Sequence, residues 1–165
     1  MDKTIGIVVD STADFPRGVV KKSGIHIIPI AITVNEKKYR HGVTINDAEI
    51  VKALKEQKNV ATEPILPGDY ATIYEKLLEK YDRIISFHAS THLSKCYTSA
   101  INALKILSDE DAGRIIAIDT GSVAIGQGII VEKALGLIQN KTDFLQIEEH
   151  LKKYTAPIRS KTYYE

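Results

Sequence analysis

The chain has 165 residues, enough for one ordinary domain with a single substantial core and no disulfide staples. A net charge of +1, with 26% charged residues and no basic stripe, gives no electrostatic argument for nucleic acid as a partner. The single Cys96 suits a reducing cytoplasm, the N-terminus lacks a secretory signal pattern, and no apolar run approaches the ~20 residues of a membrane span.

In chain order, Ile5-Gly6-Ile7-Val8-Val9 is a continuous apolar run, as expected of a strand buried on both faces, and Asp10-Ser11-Thr12-Ala13-Asp14 turns the chain. Pro16 suits a first helical turn and Gly24 a helix stop. Residues 25–34 read as a second buried strand, Asn35-Glu36-Lys37-Lys38 as a turn, and residues 39–43 as a short returning strand. Asn46 followed by Glu49 is a capping box opening a helix to about Gln57.

An extended piece around Val60 leads through Thr62 to Pro67, which opens a helix to about Tyr81. Residues 83–88 form the next strand, residues 93–107 a helix, and residues 114–118 another strand ending at Asp119-Thr120-Gly121-Ser122. A helix containing Gly126 and Gly128 runs to about Gln139, and Thr142 or Asp143 caps a last helix to about Tyr154. Pro157 then breaks the pattern, and residues 158–164 look like the start of a further strand. This alternation predicts a three-layer α/β domain over residues 1–156, with a largely parallel sheet flanked by helices, and residues 157–165 as a tail or the beginning of another domain.

Ligands of such sheets bind outside the carboxyl ends of the strands. Four hydroxyl-bearing segments are expected there: Asp10-Ser11-Thr12, Thr62, residues 90–94, and Asp119 to Ser122. Helix N-termini expose unpaired N–H groups and attract anions, so converging strand ends of this kind point to a carboxylate or phosphate. Capping alone also accounts for hydroxyls at these positions. His88 reads as a structural histidine. Cys96 has only His92 as a nearby base, and no metal-ligand spacing is present. Gly126 and Gly128 lack the spacing of a phosphate-binding loop and suit close packing. No nucleophile–base pair or Mg²⁺ site is evident, which disfavours the alternative of a phosphotransferase or hydrolase.

Five blocks, in order, resemble the DegV family: Ile7 to Asp14; Tyr39-Arg40-His41-Gly42-Val43, with His41 where the family usually has Asp; Thr62-Glu63-Pro64 followed by Pro67-Gly68-Asp69-Tyr70; Ser90 to Ala100, with Lys95 and Cys96 replacing Gly and Thr; and Ile118 to Ser122 followed by Gly126 and Gly128. The resemblance implies a non-catalytic protein with no cofactor that binds a long-chain fatty acid and, in some members, presents its carboxylate to a separate bacterial fatty acid kinase. It also implies a longer protein, whose second domain begins near Thr162-Tyr163-Tyr164.

Carried over, the carboxylate contacts are Thr62 and Ser94. Leu93, Ser11, His92 and Gly126 are further candidates for the fatty-acid site, with Asp10, Asp119 and Ser122 as supports behind it. Lys95 either crowds the site or supplies a positive charge to it. Glu63 suits an anion site only if it points away. A single domain with an open apolar cleft would favour homodimerisation or a partner chain.

Overall fold

The computed structural model describes residues 4–16 and 18–155. Four parallel strands form the central sheet in the order β2-β1-β6-β7: β1 (Ile5–Asp10), β2 (His26–Ile28), β6 (Arg83–His88) and β7 (Ile115–Asp119). β1 and β6 are central, and nearly every residue in them is buried, which explains their unbroken apolar runs. Three further strands form a small antiparallel sheet in the order β4-β3-β5: β3 (Ala31–Val34), β4 (Lys37–Arg40) and β5 (Val60–Glu63).

Helices α1 (Val19–Ser23), α2 (Asp47–Lys55), α3 (Pro67–Leu78), α4 (Cys96–Leu104), α5 (Asp109–Ala112), α6 (Ala124–Gln139) and α7 (Phe144–Thr155) complete the described chain. One apolar cluster, with Val8, Ile84, Tyr70, Tyr74 and Ala100, packs α3 and α4 against one face of the parallel sheet. A second, with Ile7, Val9, Phe87, Ile130 and Ile147, packs α6 and α7 against the other. This is the three-layer α/β arrangement predicted from the alternation of strands and helices. No described helix is long and apolar enough to cross a membrane.

The second expected strand divides in two. Pro29 has no N–H to donate to a ladder, and the chain leaves the parallel sheet after Ile28 and enters the antiparallel one at Ala31. The hairpin that follows turns on Asn35 (φ 47°) and Glu36 (φ 70°), so β4 starts at Lys37, earlier than residue 39, and ends at Arg40. Thr62 therefore lies in an antiparallel edge strand rather than at the carboxyl end of a parallel one.

The helix expected over residues 93–107 is shorter. Residues 90–95 remain a turn, because Ser90 accepts the N–H groups of Leu93 and Ser94 before α4 begins at Cys96. α1 begins at Val19, later than Pro16, after Gly18 at φ 86°. The Asn46 capping box is present as predicted, and Asp143 accepts the Leu145 N–H at 3.0 Å to open α7. The expected strand at residues 158–164 lies outside the described residues.

Candidate functional site

A cleft of about 570 Å³ opens where the carboxyl ends of the parallel strands meet β5 of the small sheet. Thr12 and Ala89, Thr91 to Lys95, and Val123 contribute from the first side. Ile30, Thr62, Glu63 and Pro64 contribute from the second. The volume falls in the range of small-molecule sites, roughly 300–1,000 Å³.

The first side is held by two carboxylates. Asp10, fully buried at the end of β1, accepts the Ala89 N–H at 3.0 Å and the Gln127 Nε2–H at 3.0 Å. Thr12 Oγ1 lies within hydrogen-bonding distance of both the Asp10 carboxylate and Gln127 Oε1. Burial works against the charged form of Asp10, but His88, Thr12 and Gln127 outweigh it and hold the carboxyl below the usual carboxylate range. His88 Nδ1 stands 3.7 Å from Asp10 Oδ2, an ion-pair distance, and 3.2 Å from the Tyr70 hydroxyl.

Asp119, at the end of β7, accepts the Thr91 hydroxyl at 2.7 Å, the Thr91 N–H at 3.3 Å and the Gly121 N–H at 2.9 Å. Ser122, itself buried, accepts the Ser90 N–H at its carbonyl at 2.9 Å. The first residues of the loop carrying Ser94, Ser90 and Thr91, are thereby tied to the end of β7 and the turn that follows it. Ser94 Oγ accepts the Cys96 N–H at 3.2 Å, so it caps the first turn of α4 while lining the cleft. α4 has no acidic residue in that turn, and the first-turn N–H groups of any helix lack intrahelical acceptors.

On the second side, Thr62 is exposed. Its neighbour Glu63 turns to Lys38, with Oε2 2.9 Å from Nζ, and this cation holds the Glu63 carboxyl below its usual range. The acid beside Thr62 is thus already neutralised.

Of the predicted contacts, Thr62, Ser94, Leu93 and His92 line one cleft. Ser11 and Gly126 do not line it. Thr12, adjacent to Ser11 in the same expected strand-end segment, does; a turn has no periodicity from which to read which of two neighbouring hydroxyls faces the site. Gly126 occupies the first turn of α6, while Gly128 meets a packing demand: a Cβ there would lie 2.0 Å from the Asp14 carbonyl oxygen.

Ser11 instead belongs to a relay that the sequence did not reveal. Its Oγ accepts the Ile30 N–H at 3.0 Å and lies 3.0 Å from His41 Nδ1, while His41 Nε2 lies 2.8 Å from Asp47 Oδ1. This places a serine, a histidine and an aspartate in series, contrary to the expectation that no nucleophile–base pair exists. The surroundings fit a structural tie. Asp47 is 88% exposed, and the nearby N–H groups that would form an oxyanion hole are occupied, Ser11 by Ile28, and Thr12 and Ala13 by Asp10. Cys96 is fully buried, and burial pushes its thiol above the usual range, away from the reactive thiolate. Among the described residues, no group of three or more His, Cys, Asp or Glu side chains could hold a metal ion.

Over residues 4–164 the chain matches the model of the DegV family. A DegV domain-containing protein of Clostridium perfringens (strain 13 / Type A) is 32% identical over 166 residues, covering 100% of this chain and 58% of its own length. A fatty-acid-binding DegV family protein from Thermus thermophilus superposes with a TM-score of 0.83 at 27% identity, covering 93% of this chain and 54% of that one. DegV of Bacillus subtilis, described as a fatty acid binding protein, superposes with a TM-score of 0.82 at 26% identity, again covering 93% and 54%. The chain spans about half the length of these relatives. With the family model spanning residues 4–164 and the fold superposing over 93% of the chain, the chain belongs to the DegV family.

Proposed function

We propose that this domain binds a long-chain fatty acid, with the carboxylate at Ser94 and Thr62 and the tail running along the apolar wall of the cleft. The observation that carries this reading is the convergence of three hydroxyls, Thr12, Thr62 and Ser94, beside the N-terminus of α4 in a cleft also lined by Ile30, Pro64, Ala89, Leu93 and Val123. Hydroxyls and a helix N-terminus suit a carboxylate, and each methylene withdrawn from water contributes roughly 0.8 kcal/mol. The fatty acid binding of the Thermus and Bacillus relatives supports the same ligand class.

Asp10 and Asp119 act here as positioning residues, setting the backbone of the Ser94 loop without facing the ligand. Activity as a carrier follows: the domain holds the acid with its carboxylate at an open cleft, where a separate cytoplasmic kinase can reach it. The occupied N–H groups around Ser11 and the protonated, buried Cys96 support binding rather than catalysis by this chain.

Native mass spectrometry of the purified chain, with extraction of its lipid, tests the reading. One fatty acid per chain, lost in the Ser94→Ala/Thr62→Ala double variant, is the expected result. A bare wild-type chain that also fails to take up added palmitate contradicts it.

A further inference from the structure

We infer that Lys95 is the headgroup-selecting residue of this cleft, the cation that distinguishes an ionised acyl ligand from a neutral lipid of the same length. The inference rests on the fatty-acid reading above and adds to it the basis of discrimination.

Lys95 lines the cleft directly after Ser94 and is exposed. The other charged lining residue, Glu63, is paired with Lys38, which leaves Lys95 as the uncompensated charge of the lining. Its place in the chain is unfavourable for the free protein. Lys95 is the N-cap of α4 (φ −93°, ψ 5°) and makes no side-chain capping bond. N-caps favour Asn, Asp, Ser, Thr and Gly, and a cation at a helix N-terminus opposes the helix dipole.

Ser94 already caps the Cys96 N–H, so the cost is that of the cation against the helix dipole. α4 has no acidic residue in its first turn. α6, whose N-cap Val123 also lines the cleft, has none either. A cation set against its helix dipole with no acidic residue in the same turn breaks a local rule, and such breaks mark functional positions. Here the missing partner is an anion in the cleft, which the Lys95 ammonium and the α4 terminus would attract together.

The distinguishing test pairs stability with affinity. In Lys95→Asn, a cation is removed from the helix N-terminus that Ser94 continues to cap, so the lipid-free chain should melt about 1–3 °C higher. The same variant should bind palmitate about three- to tenfold more weakly at low salt while binding methyl palmitate as the wild type does. Lys95→Arg should retain the preference for the acid, and Lys95→Glu should reverse it.

Unchanged palmitate affinity in Lys95→Asn, or equal wild-type affinity for palmitate and methyl palmitate, overturns the role of Lys95 and leaves the lipid site standing. A lowered melting temperature in Lys95→Asn assigns Lys95 to structure and overturns the helix argument. A wild type that binds neither lipid removes the fatty-acid reading itself.

Discussion

The two sides of the cleft are built differently. The side formed by the parallel strand ends is a buried polar lattice, in which Asp10, Gln127, Ser90, Thr120 and Ser122 are each 3% exposed or less. The opposite side is an edge strand of a three-stranded antiparallel sheet, where Thr62 is exposed and the attachment to β1 runs through Ser11, Ile30, His41 and Asp47. A fixed side suits the recognition of a small charged group. The more open side adds Thr62 to the headgroup site and leaves room for tails of different length, while Ile32 and Ile65 join it to the same apolar cluster as Val8 and Ile84.

Substitutions in and behind the buried lattice should therefore destabilise the protein most, and those at exposed polar positions of the other side least. Gly128→Ala should have the largest effect, about 3–5 kcal/mol in a urea titration, because the new methyl group meets backbone that cannot move aside cheaply. Asp10→Ala should cost about 3 kcal/mol by leaving the buried Ala89 N–H and the Gln127 amide without their acceptor.

Asp10 also predicts the acid limb. Its folded carboxyl titrates below its unfolded value, so its contribution is complete above pH ~5 and is lost as the pH falls through ~4 and below. Thermal melts of wild type and Asp10→Asn from pH 7 to pH 3 should therefore converge as the pH falls.

His41→Ala should cost only about 1 kcal/mol, with faster amide exchange in β3, β4 and β5 than in β1 and β6. Equal acceleration in all five strands would show that the two sides are one cooperative unit. Smallest of all, Thr62→Ala should change stability by less than about 0.5 kcal/mol while weakening palmitate binding about tenfold.

The same contrast separates what could be read in the sequence from what could not. β1 and β6 are unbroken apolar runs because both faces are covered, and this periodicity survives without knowledge of neighbours. The Asn46–Glu49 box is equally local. Residues 25–34 look like one strand because both sheets demand apolar residues there, and only Pro29 hints that the ladder changes.

Ser94 and Thr62 were legible as a pair through the block order of a known family; their meeting depends on tertiary contact across two sheets. The Ser11–His41–Asp47 relay joins residues 30 and 6 positions apart on three segments, so no spacing rule could reveal it. Thr12 and Ser11 are adjacent hydroxyls in a turn, and which one faces the cleft is decided by Asp10 and Gln127 on one side and Ile30 on the other.

The most direct measurement is an NMR titration of the ¹⁵N-labelled chain with palmitate carrying ¹³C at the carboxylate. The carboxylate resonance should shift on binding, and amide perturbations and intermolecular contacts should centre on Thr12, Thr62 and residues 91–97. A bound carboxylate with contacts elsewhere, such as the neighbouring cleft of about 520 Å³ lined by Ile28, Arg40, Leu66 and Asp69, would contradict the assignment of this site.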